Sequence, residues 1–194
     1  MTSILLFDVM STLVYDPIEQ EIPDFFGLSL QQLYERKHPT AWTDFERGAI
    51  SESTFYELYF PNRPEPIDDG LRQVLFDAYR WVDGMEALVA RLDQRDMAMH
   101  ALSNYPIWFN IIEQKLALSR YLSWTFVSCL TGLRKPDLQA YEDAVATLGV
   151  SPGDCLFIDD RRINCDAAQQ IGMEAIVFEN ADNLAMELSR RKLL

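Results

Sequence analysis

The sequence predicts an α/β fold: a parallel sheet with helices on both faces, interrupted by a helical insert. Three observations support it. Short apolar runs recur as "ILLF", "MAMHAL", "TFVSC", "CLFI" and "AIVF". Most of them are separated by segments of helical period. One long aromatic-rich block has helical patterning and no strand. Strands that alternate with helices demand right-handed crossovers, and the crossing helices then bury both faces of the sheet.

The first run, "ILLF", reads as a buried strand that ends in Asp8. Residues 15–83 then break the alternation. They hold Phe25, Phe26, Tyr34, Trp42, Phe45, Phe55, Tyr56, Tyr59 and Phe60. "SLQQLYERKH" predicts a helix capped by Ser29, and "SESTFYELYF" one capped by Ser51 or Ser53. "PNRPEP" reads as a hinge. This block is expected to be a helical cap, leaving 1–14 and 84–194 as the core domain. In "GMEALVARLDQR" the residues Met85, Leu88, Val89 and Leu92 share one helix face. "DLQAYEDAVATLG" predicts a second helix with Leu138, Tyr141, Val145 and Leu148 inward and Gly149 as its stop. The chain has no internal repeat and no low-complexity tract.

The net charge of −13 over 194 residues repels nucleic-acid phosphates and anionic lipid, and no basic block offsets it. Neither nucleic acid nor membrane is expected as a partner. A phosphate site in such a field needs local cations or a metal. Turn signals stop every apolar run short of a membrane helix. Cys129, Cys155 and Cys165 are odd in number and lack metal-ligand spacing, as expected of reduced thiols in a reducing compartment.

In an open parallel sheet the ligand site lies at the carboxyl ends of the strands. Asp8 follows "ILLF", Ser103 and Asn104 follow "MAMHAL", Lys135 lies six residues beyond "TFVSC", and Asp159 and Asp160 follow "CLFI". One such Asp or Ser alone is more often a helix cap or turn former. Adjacent carboxylates, however, repel unless a cation or solvent separates them. Together the four places supply a carboxylate nucleophile, a hydroxyl donor, a cation and a metal-binding pair, the parts that phosphoryl transfer needs.

These places resemble the four motifs of the haloacid dehalogenase superfamily: "FDVMSTL", "LSN", the lysine of "RKPD", and "FIDDRRINCDAA". The cap falls between motifs one and two, as in subfamily I, and the resemblance spans essentially the whole chain. "WTDFERGAIS" resembles the segment that shapes the substrate pocket there. More narrowly, "FDVMSTLVYDP", "NYPIWFNIIEQKL", "YLSWTFVSC" and "FENAD" are similar to the FMN-hydrolysing group of plant chloroplasts within that superfamily.

The resemblance implies a Rossmann-like core with an inserted cap. It also implies Mg²⁺-dependent hydrolysis of a small phosphorylated metabolite, FMN, through an aspartyl-phosphate on Asp8. Mg²⁺ is expected on Asp8, the Met10 backbone carbonyl and Asp160, with Asp159 acting through water and Asn164 orienting metal-bound water. Ser103 is expected to donate to a phosphoryl oxygen, and Lys135 to neutralise charge on Asp8 and the phosphoryl group. Asn104 and Thr12 are expected on the substrate side, Thr12 either buttressing the loop after the nucleophile or capping a helix. Trp42 and Phe45 either cover the isoalloxazine ring or pack the cap's own core. The compartment expected is the cytoplasm, or the chloroplast stroma if a transit peptide has been removed.

Met10 departs from the family pattern. An aspartate two places after the nucleophile protonates the leaving oxygen and later activates water, work worth roughly 10²–10⁴ in rate. A thioether does neither. The substitution implies a slower phosphatase, a replacement proton donor, for which Tyr15 and His38 are the first candidates, or a phosphate-binding protein without turnover. Dehalogenation of a 2-haloacid is disfavoured, because the acidic pair that dehalogenases have altered is intact. His100, inside a predicted strand, is expected to be structural.

Overall fold

The computed structural model describes residues 4–59 and 70–194. "MTS", Phe60 and the predicted hinge "PNRPEP" lie outside them. Five parallel strands, β1 Ile4–Phe7, β2 Ala98–Ser103, β3 Ser123–Val127, β4 Cys155–Asp159 and β5 Glu174–Val177, form one sheet in the order β3-β2-β1-β4-β5. All five predicted strands are present. "TFVSC" is strand only to Val127, and its last two residues open a short helix, Ser128–Thr131.

Burial on both faces follows from the period of two along each strand. Leu5 and Phe7 of β1, with Leu156 and Ile158 of β4, enter one cluster, while Ile4, Leu6, Cys155 and Phe157 enter the other. The first face is covered by α6 Met85–Asp93, α7 Phe109–Leu116 and α11 Ala181–Arg190; the second by α9 Leu138–Leu148 and α10 Arg162–Gln170. Met85, Leu88, Val89 and Leu92 are all buried, as the pattern of α6 requires. In α9 the buried residues are Ala140, Tyr141 and Ala144, and Leu138 is exposed. The buried face is thus turned by part of a turn from the predicted one, with Val145 and Leu148 partly buried against the same cluster. Gly149 ends it in the left-handed region, φ 68°.

Among the described residues between β1 and α6 stand five helices: α1 Glu21–Phe26, α2 Leu30–Arg36, α3 Ala41–Glu46, α4 Glu52–Tyr59 and α5 Gly70–Ala78. Ser29 closes a capping box with Gln32 at the head of α2. Ser51 Oγ accepts from Thr54 N, which decides between the two serines offered for α4. The chain enters and leaves this block through a paired ribbon, in which Tyr15 N donates to Arg80 O and Val82 N to Leu13 O.

The helical block shares its core with one face of the sheet. Ile22, Leu33, Phe45, Phe55, Tyr59, Leu71 and Leu75 belong to the same cluster as Leu5 and Phe7. Trp108, from the segment before α7, is fully buried at the junction. Its ring meets Phe45, Phe55 and Trp42 edge-on or tilted, at 5.0, 5.5 and 6.0 Å between centroids. Its Nε1 donates to Glu52 Oε1 at 2.6 Å. A Cβ on Gly48, φ 68°, would lie 2.5 Å from the Cys129 carbonyl, so only glycine allows this close approach to the corner after β3.

Trp108→Ala should therefore cost about 3–5 kcal/mol in urea unfolding, the range for emptying a fully buried aromatic site. A loss below about 1 kcal/mol would mean that the junction does not depend on this ring.

Candidate active site

Phe7 pairs with Ile158 across β1 and β4, and Asp8 N donates to Ile158 O at 2.8 Å. The register thus sets Asp8 beside Asp159 at the carboxyl ends of the two central strands. Lys135 Nζ lies between them, 2.8 Å from Asp8 Oδ1 and 2.7 Å from Asp159 Oδ2, and all three residues are buried. Asn104 fixes the lysine, because its Nδ2 donates to Lys135 O at 2.8 Å and its Oδ1 accepts from Lys135 N at 2.9 Å.

Asp159 is saturated. It accepts from Lys135, from Arg161 N at 2.8 Å and from Asn164 Nδ2 at 3.0 Å on each oxygen. Carboxylate oxygens of Asp8, Asp159 and Asp160 lie within 4.8 Å of one another. Three carboxylates against one ammonium leave two negative charges, the complement of a divalent cation, and an all-oxygen donor set suits Mg²⁺. Burial pushes the Asp8 carboxyl up to about 7, Lys135 pulls it down, and Asp159 adds to the rise. A further cation would hold it ionised.

Among the described residues, three buried side-chain polar atoms lack a hydrogen-bond partner: Thr12 Oγ1, Ser103 Oγ and Asn164 Oδ1. Each such atom costs about 1–3 kcal/mol. All three belong to residues that the motifs single out; Asn164 lines the adjoining cleft, whereas Thr12 and Ser103 lie buried behind its lining.

A cleft of about 320 Å³ opens onto this network. Asp8, Met10, Asn104, Lys135, Asp160 and Asn164 line its floor, and Tyr34, Lys37, Trp42, Thr43, Glu46 and Arg134 its upper walls, with Ser11 and Asp16 at the loop after β1. That loop is tied by Ser11 N to Val14 O and by Leu13 N to Val9 O, with Ser11 in the left-handed region at φ 59°. Trp42 Nε1 donates to Glu46 Oε1, and Arg134 Nε donates to Glu46 Oε2, each at 2.7 Å. Burial pushes Glu46 up against the pull of Arg134.

Several expected roles change. Phe45 is absent from the cleft wall: it stacks on Phe55 at 4.6 Å and packs against Trp108, so it belongs to the cap core. No helix starts at Thr12, which excludes the capping role. Asn104 reaches the cleft, but its amide atoms are engaged by the lysine backbone, so it positions Lys135. His38 Nδ1 accepts from Thr40 N and Ala41 N and thereby caps α3, and Tyr15 donates to Glu21 beneath the Arg80 guanidinium; neither lines the cleft. His100 bonds Thr125 Oγ1 at 2.8 Å within the sheet, the structural role expected. The sequence reading missed Asp16, Glu46, Arg134, Lys37 and Tyr34. Arg134 adjoins the motif lysine and Glu46 stands one turn after Trp42, a spacing that carried the signal.

The haloacid dehalogenase-like hydrolase model matches residues 2–172. Flavin mononucleotide hydrolase 1, chloroplastic, of Arabidopsis thaliana is 50% identical over 186 residues, 96% of this chain and 76% of its own length. A sesquiterpene phosphatase of Aspergillus oryzae is 26% identical over 169 residues, 83% of this chain and 84% of its own length. A family enzyme of Bacteroides thetaiotaomicron, crystallised with magnesium and inorganic phosphate, shares the fold with a TM-score of 0.77 at 20% identity, over 93% of this chain and 96% of that one.

Asp8 makes stability depend on pH. Its carboxyl titrates at about 7 when folded against 3.8 in an unperturbed chain, so the folded state holds the extra proton across that window. The stability that Asp8 contributes is fully present below about 4 and is lost as pH rises toward 7, with a slope of up to about 1.4 kcal/mol per pH unit. In EDTA-treated protein, Asp8→Asn should flatten the decline between pH 4 and 7 measured by urea unfolding. A slope equal to that of the wild type would show that Asp8 is ionised throughout.

Proposed function

The chain belongs to the haloacid dehalogenase-like hydrolases, and from that premise we propose that it is a Mg²⁺-dependent phosphomonoester hydrolase that converts FMN to riboflavin and phosphate. The observation that carries the chemistry is the buried Lys135 ammonium between Asp8 and Asp159, at the floor of a cleft. Lys135 holds Oδ1 of Asp8, which leaves Oδ2 to attack phosphorus and form an aspartyl-phosphate. The same ammonium offsets charge that builds on the phosphoryl oxygens. The Ser103 hydroxyl, buried and without a partner, donates to one of those oxygens.

Asp8, Asp160 and the Met10 carbonyl would hold Mg²⁺, supported by Asp159 and Asn164. When bound, the ion neutralises phosphoryl charge as a Lewis acid. The acidic floor makes such a cation the natural counterpart of an anionic substrate.

The flavin rests on the 50% identity to the Arabidopsis enzyme and on the walls of the cleft. Tyr34 and Trp42 offer aromatic surface to a planar ring, and Lys37 and Arg134 supply positive charge on the same side. The fungal relative, at about half that identity, is a sesquiterpene phosphatase and supports phosphatase chemistry without bearing on the flavin. The Arabidopsis relative is chloroplastic, which supports the chloroplast over the cytoplasm as the compartment. No helix among the described residues is long and apolar enough to cross a membrane.

Purified protein should release riboflavin and phosphate from FMN with Mg²⁺ and stop on chelation. Asp8→Asn should lower turnover at least about 10³-fold. No phosphate release from FMN or from a panel of phosphate esters would leave a phosphate-binding protein without turnover. Tyr34, half exposed on the cleft wall, gives the cleaner test of the ring site, since Trp42 also packs on Phe55 and Trp108. Tyr34→Ala should raise KM for FMN roughly tenfold while leaving glycerol phosphate unaffected. Equal effects on both substrates would remove Tyr34 from the ring site.

A further inference from the structure

Hydrolysis of an alkyl phosphate needs a proton for the leaving oxygen and a base for the attacking water, and Met10 supplies neither. Four carboxylates line the cleft: Asp8, Asp16, Glu46 and Asp160. Asp8 is bound by Lys135, and Asp160 completes the acidic triad. Glu46 has both oxygens engaged, by Arg134 and Trp42. Asp16 differs from all three. It forms no ion pair among the described residues, and one oxygen, Oδ1, takes the Ile18 N–H at 3.0 Å, which leaves Oδ2 for a proton.

Its backbone is also fixed. Tyr15 N is tied to Arg80 O in the paired ribbon just before it, and Pro17 follows it. Resting on the phosphatase reading above, we propose that Asp16 is the general acid and base of this enzyme, delivered from the start of the cap linker in place of a side chain at position 10.

The groups that face Asp16 agree. Asp160 from the turn after β4, Glu19 from its own loop and Glu46 from α3 are all carboxylates that raise it, after burial, the largest cause. Tyr34, Tyr79 and Tyr105 feel its charge in turn. The cations lining the cleft are Lys37, Arg161, Arg134, held by Glu46, and Lys135, held by Asp8 and Asp159. Burial and these neighbours, against the pull of the Ile18 N–H toward the carboxylate, bring the carboxyl up to about 6, close to the value at which a group both gives and takes a proton near neutrality.

In the first half-reaction Asp8 Oδ2 bonds to phosphorus, the bond from phosphorus to the ribityl oxygen breaks, and the Asp16 proton passes to that oxygen, so riboflavin leaves as the alcohol. Asp16 is then a carboxylate. In the second it takes a proton from water as the water oxygen bonds to phosphorus; the bond from phosphorus to Asp8 breaks, phosphate departs, and Asp16 is protonated again.

The test compares FMN with p-nitrophenyl phosphate, whose leaving group needs no proton. Asp16→Asn should lower FMN turnover roughly 10²-fold. With p-nitrophenyl phosphate it should give a burst of nitrophenol near enzyme stoichiometry followed by a slow steady state, because attack proceeds and only water activation is lost. Met10→Asp added to Asp16→Asn should restore part of the FMN turnover. Asp16→Ser carries the same comparison should Asp16→Asn melt below the assay temperature. Unchanged FMN turnover, or equal losses on both substrates with no burst, overturns the role of Asp16 while the phosphatase reading stands. A wild type inactive on both substrates overturns both.

Discussion

One buried ammonium organises the molecule. Lys135 Nζ is almost wholly removed from water, and an isolated charge there is costly by several kcal/mol, so it persists only because Asp8 and Asp159 flank it within 2.8 Å. The dependence runs both ways. Without the lysine, two buried carboxylates would face each other at adjacent strand ends, and each would bind a proton in place of its charge. The surroundings hold this geometry at several points: Asn104 grips the lysine backbone, and Asn164 and the Arg161 N–H grip Asp159. Strand register does the rest, since Phe7 beside Ile158 leaves Asp8 and Asp159 no other relation.

The same network explains why the helical insert cannot float free of the sheet. Glu46 at the end of α3 bonds Arg134, next to the lysine, and its carbonyl accepts from Ser128 Oγ at 2.5 Å at the end of β3. Arg47 pairs with Asp137 across the same seam, but both are exposed and contribute little. The firmer attachment is apolar: Trp108 enters the aromatic cluster, and Gly48 meets the Cys129 carbonyl with no room for a side chain. The helical block is anchored at this corner and supplies Tyr34, Lys37, Trp42, Thr43 and Glu46 to the wall of the cleft.

The strands, their order of chemistry and the floor of the site were legible because each depends on local pattern. An apolar run followed by a polar residue marks a strand end whatever the tertiary context, and four such ends identify a motif set. The walls were not legible. Trp42 and Phe45 stand three residues apart on one short helix, yet the first lines the cleft and the second stacks on Phe55, a choice made by how α3 lies on α4. His38 was attractive for its titration, but a backbone turn uses its Nδ1 to cap α3. Asp16 follows none of the apolar runs that mark strand ends; only the folding of the linker beside Met10 makes its carboxyl part of the cleft.

That placement also bears on why a methionine is tolerated at position 10. Among the described residues four carboxylates already line the cleft, against Lys37, Arg134, Lys135 and Arg161 as its cations. A fifth carboxylate on the floor would sit near Asp8 and Asp160, and its repulsion would raise the very carboxyl that has to stay ionised to attack phosphorus. The Met10 side chain is buried at the edge of the first apolar cluster, where a thioether packs without charge and leaves the backbone carbonyl free for a metal. Moving proton transfer from the floor to the cap linker therefore separates two electrostatic demands that the aspartate pattern places two residues apart. Lys135 pulls the Asp8 carboxyl back toward its ionised state against burial, and burial among other carboxylates holds Asp16 toward its protonated one.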